Sequence, residues 1–221
     1  MEVMKLENLS FSYGEHSILK GISCTFDAGK IYAIVGKSGA GKTTLLSLMS
    51  GLAEPTEGTI FCNGKEMKLE DKYEYRSRSI GVIFQDFNLL TKLTAVENVE
   101  LSMEISAENS HKKIDRQANR DSAYGLLAEM GLRRDEADRR ILKLSGGQQQ
   151  RVAIARALSY GPDIILADEP TGNLDEETQR EIMGIFRDLA KNGKCVIIVT
   201  HSSYVAECAD EKIELKTVNH S

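Results

Sequence analysis

The sequence predicts an α/β fold in which strand-and-helix segments flank a helical insert. Three observations carry that prediction. Short β-branched apolar runs recur at residues 31–35, 164–167 and 195–199, the pattern of strands buried on both faces. Helical periodicity follows, with Ile182, Ile185, Phe186 and Leu189 on one face of residues 176–191. Between the strand-bearing regions, from Asn88 to Tyr160, β-branched runs vanish and Glu, Lys, Arg, Ala and Leu dominate.

Taken in order, residues 4–11 alternate loosely and read as a strand. Residues 31–35 form a buried strand that runs into a turn at Gly36, and residues 42–50 form a helix stopped by Gly51. Residues 58–62 followed by Asn63-Gly64 read as a strand and tight turn. Residues 80–84 are another apolar run. Within the insert, Ala123, Leu126, Leu127 and Met130 share one helix face, and the polar stretch 107–120 reads as a mobile loop or a frayed helix.

Composition narrows the function classes. The chain has 221 residues, 41% hydrophobic and 28% charged, which suits one large domain or two small ones with a real core. Its net charge of −5 disfavours nucleic-acid binding through bulk charge. No apolar run approaches the roughly 20 residues of a spanning helix. The first residues lack the basic-then-apolar layout of a signal peptide, so the chain is expected to stay in the cytosol. The cysteines, Cys24, Cys62, Cys195 and Cys208, form no C-x-x-C pair and read as packing residues rather than metal ligands. His16, His111 and His220 read as surface residues.

Gly36-Lys37-Ser38-Gly39-Ala40-Gly41-Lys42-Thr43 fits G-x-x-x-x-G-K-[ST] between a predicted strand and a predicted helix. Glycines let backbone N–H groups wrap a phosphate chain, and the helix N-terminus adds partial positive charge. Lys42 can reach the β- and γ-phosphates as a mobile point charge. The Thr43 hydroxyl suits Mg²⁺, and Thr44 can reach the α-phosphate. Asp168 and Glu169 follow an apolar strand, where carboxylates at a strand's C-terminal end sit beside such a loop. Asp168 would hold Mg²⁺ through water, and Glu169 would act as general base on the attacking water. Leu144-Ser145-Gly146-Gly147-Gln148 opens a second helix, with Ser145 as its cap and a freed backbone at the glycines.

The order of Gly36 to Thr43, Gln85, Leu144 to Gln148, Asp168-Glu169 and His201 resembles the ATP-binding cassette subunit of an ABC transporter over nearly the whole chain. The resemblance implies an ATP hydrolase with a P-loop NTPase core: a mostly parallel sheet flanked by helices, an antiparallel β part and an all-helical insert. It implies a core at residues 1–87 and 161–221 and an insert at 88–160 that carries the signature 144–148. By the same resemblance Tyr13 stacks on adenine, and Gln85 senses Mg²⁺ and the attacking water. His201 contacts the γ-phosphate, and Gly172-Asn173-Leu174-Asp175 is the loop crossing a dimer interface. The dimer is head to tail, a homodimer of two ATP-binding subunits. The signature of one copy caps the ATP held by the other.

Asp168 to Asp175 reads D-E-P-T-G-N-L-D, and Leu93 to Val99 reads L-T-A-V-E-N-V. These look like the branch of lipoprotein-releasing, macrolide-export, bacteriocin-export and cell-division ATPases, although many members have proline where this chain has Ile141. The implied partner is a separate multi-span membrane permease, which would hold the chain peripherally at the cytoplasmic face of the membrane. Phe87, Leu89, Leu90 and Leu93 read either as a groove wall for a permease helix or as insert core. The leading expectation is export or extraction of a substrate. The alternative is a regulatory ATPase that transmits force without transport. DNA-repair and translation members usually carry long coiled coils or two cassettes, for which 221 residues leave no room.

Overall fold

The loosely alternating start of the chain becomes a long strand, Glu2–Tyr13 (β1), which pairs antiparallel with His16–Asp27 (β2). The computed structural model that gives this fold describes residues 1–68, 72–109 and 115–217. Glu57–Cys62 (β4) pairs with the other edge of β1, and Lys65–Glu66 (β5) returns from the Asn63-Gly64 turn. The resulting sheet has the order β2-β1-β4-β5.

The second sheet is parallel throughout. It uses Ile31–Val35 (β3), Ile80–Ile83 (β6), Ile164–Asp168 (β7), Cys195–Val199 (β8) and Glu211–Glu214 (β9), in the order β6-β7-β8-β3-β9. β7 and β8 are buried along their whole length, as their unbroken apolar runs predict. Alternate side chains go to opposite faces. Ile164 and Leu166 pack with Lys42–Met49 (α1) and with Met4, Leu6 and Leu9 of β1. Ile165 and Ala167 pack with Ile182 and Phe186 of Glu176–Lys191 (α7) and with the insert.

The insert is helical: Ala95–Asn109 (α3), Arg116–Glu129 (α4), Arg134–Ala137 (α5), a 3₁₀ turn at Ile141–Lys143, and Gly146–Leu158 (α6). The predicted face of α4 holds, with Ala123 and Leu127 fully buried and Met130 at its end nearly so. Of the two readings of 107–120, a mobile loop or a frayed helix, the described residues follow the helical one, being helical over 107–109 and 116–120. Residues 107–109 complete α3, and Asp115 caps α4 by accepting from the Ala118 N–H at 3.1 Å. The rest of that segment, with His111, lies outside the described residues, as does His220. His16 is exposed.

Four elements had no expectation in the sequence: β2, β9 and the helices Lys72–Arg78 (α2) and Ser203–Cys208 (α8). Cys62 and Cys195 are buried in the core, and burial pushes their thiols up to about 11 and about 12, so they pack rather than react. Among the described residues no helix is long and apolar enough to cross a membrane.

Candidate nucleotide site

The phosphate loop leaves the end of β3 and closes on α1. Gly41 caps α1 with φ 86°, a left-handed conformation that side chains disfavour. A Cβ there would lie 2.8 Å from Leu19 Cδ2 and 3.0 Å from Ile18 Cγ2, so β2 presses directly on the loop. Gly41→Ala should therefore strain the loop and displace β2, lowering the thermal midpoint by about 3–10 °C and weakening ATP binding. An unchanged midpoint and affinity would show that the loop tolerates a side chain here. Lys42 arches back over the loop, with Nζ donating to Gly36 O at 2.9 Å and Lys37 O at 3.2 Å. The ammonium is thus held beside the backbone N–H groups at the start of α1, where partial positive charge gathers.

Asp168 ends β7 at 8% exposure and accepts a hydrogen bond from Thr43, the second residue of α1. Burial pushes its carboxyl above the usual range and the Glu169 charge adds to this, while the Thr43 hydroxyl and Lys42 oppose it. Glu169 follows at φ 45°, left-handed for a residue with a side chain. Its N–H donates to Val199 O at 2.9 Å, tying it to the end of β8. Oε2 accepts from Thr200 Oγ1 at 3.0 Å, and Oε1 lies 2.6 Å from His201 Nδ1. An ionised carboxylate only accepts, so Nδ1 carries the proton of that contact. Adjacent strand ends therefore bring both predicted carboxylates and His201 to the mouth of the phosphate loop's helix. Thr200 was missed in the sequence; its hydroxyl directly before His201 was the available signal.

Tyr13 stands at the end of β1, 63% exposed, with its ring edge-on to Phe11 at 4.8 Å. Gln85 lies just past β6, exposed, and its side chain takes no hydrogen bond among the described residues. Ser145 caps α6, accepting from the Gln148 N–H at 3.3 Å, while Gln148 Oε1 accepts from the Ser145 N–H at 3.0 Å. Gln148 Nε2 also reaches Glu136 at 2.9 Å, and Leu144 is buried beneath the turn.

The expected dimer loop lies beside the signature in the same chain. Asp175 caps α7 through Thr178 N and Oγ1, at 3.0 and 2.7 Å. A Cβ on Gly147 would meet Thr178 Cγ2 at 2.7 Å, and one on Gly146 would touch Leu174. Arg151 to Glu181 at 2.6 Å fastens the two helices further along. Gly147 is thus fixed by close packing on α7, a reason that the sequence did not reveal. Among the described residues, no hydrogen bond joins Ser145 or Gln148 to the phosphate loop.

The apolar residues after Gln85 divide. Phe87 and Leu89 pack against the core, Leu93 is half-buried and Leu90 is 51% exposed. None of them lines the nearby groove of about 300 Å³, whose walls include Leu52, Arg76, Val82, Phe84 and Tyr160.

The ABC transporter family matches residues 19–172 of the chain. The lipoprotein-releasing system ATP-binding protein LolD of Aquifex aeolicus (strain VF5) is 40% identical over 97% of this chain and 94% of its own length. The macrolide export ATP-binding/permease protein MacB of Shewanella sp. (strain W3-18-1) is 42% identical over 94% of this chain, which spans 32% of that relative. The ATP-binding cassette MJ0796, solved as a dimer in a post-hydrolysis state bound to ADP and phosphate, superposes with a TM-score of 0.87. It is 38% identical, covering 96% of this chain and 94% of its own.

Proposed function

The chain belongs to the ABC transporter family, and from that premise we propose that its ATP hydrolysis drives export or extraction of a substrate through a separate multi-span permease. The family membership makes it an ATP-binding, ATP-hydrolysing subunit. Similarity to a lipoprotein-releasing and a macrolide-export ATPase supports the direction, and the fusion of ATP-binding and permease parts in the second supports the partner. The observation that carries the chemistry is the convergence of Thr43, Asp168, Glu169 and His201 on one end of the parallel sheet.

The residues then act as follows. Backbone N–H groups of Gly36 to Thr44 bind the phosphates of ATP. Lys42 exchanges the carbonyls of Gly36 and Lys37 for the β- and γ-phosphates, and the exposed Tyr13 ring stacks on adenine. Glu169 accepts a proton from water as that water attacks the γ-phosphorus, releasing ADP and phosphate. Thr200 and His201 hold the Glu169 carboxylate in place, and His201 contacts the γ-phosphate. The hard oxygen donors at Thr43 and Asp168, already hydrogen-bonded to one another, fit Mg²⁺, with Gln85 completing the set. The ion would neutralise charge on the β- and γ-oxygens.

Residues 1–87 and 161–221 serve as the core and 88–160 as the moving insert. The site is completed by a second copy of this chain, head to tail, whose signature residues Leu144 to Gln148 cover the exposed γ-oxygens, with Asn173, Leu174 and Asp175 at the interface. The groove beside Leu52, Val82 and Phe84 receives a cytoplasmic helix of the permease, which holds the chain at the cytoplasmic face of the membrane. Copurification with the membrane partner and reconstitution in vesicles test this reading. Substrate movement that requires ATP is expected. ATP turnover by the complex without substrate movement would replace transport with force transmission.

A further inference from the structure

Residues 84–94 link the end of β6 to the start of α3, and two consecutive residues in this link, Phe87 and Asn88, have φ of 60° and 49°. Left-handed backbone at two successive residues with side chains persists only where the surroundings enforce it. Arg156, from the last turn of α6, supplies the enforcement. Its Nη2 donates to Phe87 O at 2.9 Å and its Nη1 donates to Asn88 O. The planar guanidinium suits this task, because its rigid fork of donors reaches two neighbouring carbonyls at once. Desolvation lowers the pKa of this Arg from its usual value, yet a guanidinium stays charged at neutral pH.

The other end of the link is held as firmly. Asn98 of α3, 2% exposed, accepts from the Leu90 N–H at 2.8 Å and donates to Leu90 O and Thr94 O at 3.1 and 2.9 Å. Both holders belong to the insert, whereas Gln85 lies at the core end of the link, free of side-chain hydrogen bonds among the described residues. The direction of Gln85 is therefore set by the backbone that follows it. Arg156 shares α6 with the signature glycines, about 15 Å along the same helix.

We propose that Arg156 is a positioning residue: it pins Phe87 and Asn88 in their left-handed pair and so fixes Gln85 relative to the signature end of α6. This rests on the reading of Gln85 as the contact to Mg²⁺ and the attacking water. A helix docking in the groove, which Asn88 and Arg156 also line, would press on the pin directly.

The test uses the full chain with Arg156→Met and Arg156→Lys, each alone and combined with Gln85→Ala. Arg156→Met should lower kcat about 10-fold, and Arg156→Lys by less, since an ammonium cannot bridge both carbonyls as a planar fork does. ATP affinity should stay within about 2-fold, because the phosphate loop is untouched. Amide hydrogen exchange at residues 86–90 should quicken in both variants while α6 stays protected. In the Gln85→Ala background, Arg156→Met should cost less than about 2-fold more, because the pin has lost the group that it positions. Unchanged exchange at 86–90, or the full 10-fold loss repeated without Gln85, overturns the proposal. A Gln85→Ala protein that turns over at the parental rate removes the role given to Gln85 instead, and exchange at 86–90 then decides the pin alone. Should Arg156→Met not fold, Arg156→Lys carries the same comparisons.

Discussion

Glu169→Gln should lower ATP turnover by about 100-fold or more while leaving ATP binding intact. The reason lies in how the two carboxylate oxygens are used. Thr200 Oγ1 donates to one at 3.0 Å, and an amide oxygen accepts that bond equally well. The other faces His201 Nδ1 at 2.6 Å. An amide NH₂ placed there donates to Nδ1 once the ring shifts its proton to Nε2, so both contacts survive the exchange. What is lost is the capacity to take a proton from water. The strained backbone at φ 45° is unchanged, and nothing in the Gly36 to Thr44 loop is altered. Bound ATP then persists, and two copies stay closed around it. Sedimentation of the variant should show monomers without nucleotide, since two subunits of net charge −5 repel, and dimers with Mg-ATP. Hydrolysis near the parental rate would take Glu169 out of the mechanism. Loss of ATP binding would show instead that Glu169 shapes the pocket.

How much of this was legible in the sequence follows from what each segment packs against. β3, β7 and β8 are covered on both faces, so their apolar runs are unbroken and were read directly. α7 keeps one face on the sheet and one in water, and its periodicity gave its bounds. β2 was missed because it lies at a sheet edge with only Leu19 and Phe26 fully buried, and Gly21, at φ 62°, breaks the alternation. β9 was missed for a related reason: its charged residues Glu211, Lys212 and Glu214 guard the edge of the parallel sheet and mask its strand character. The candidate site residues stand out in the sequence because phosphate chemistry restricts residue type at fixed spacing. Their supports were not. Thr200, Thr178 and Arg156 act through contacts that span 31, 31 and 69 residues, and a linear pattern carries no trace of such partners.

The second large effect concerns which chain each signature serves. In the Glu169→Gln background, Lys42→Ala alone and Ser145→Arg alone should each trap no ATP, whereas a mixture of the two should trap one ATP per mixed dimer. Lys42→Ala removes the ammonium that Gly36 O and Lys37 O hold at 2.9 and 3.2 Å, and with it the charge proposed to meet the γ-phosphate. Ser145→Arg puts a bulky cation at the cap of α6 and deletes the hydroxyl that accepts from the Gln148 N–H. Losing that cap costs about 1 kcal/mol. The reciprocal bond from the Ser145 N–H to Gln148 is made by the backbone and survives, so the fold should hold. A dimer of either variant has two damaged sites. In the mixed dimer both lesions fall on one site, and the other joins the sound loop of the Ser145→Arg chain to the sound signature of the Lys42→Ala chain. If Ser145 served the nucleotide of its own chain, each chain would carry its own lesion and mixing would restore nothing. Closure that demands two ATPs would also give a blank. Mixed dimers of the Lys42→Ala variant with the parental Glu169→Gln protein, isolated from the parental dimers through a different tag on each chain, separate the cases, because they offer one sound site by either arrangement. Trapping in those dimers, with none in the crossed ones, would refute the shared site.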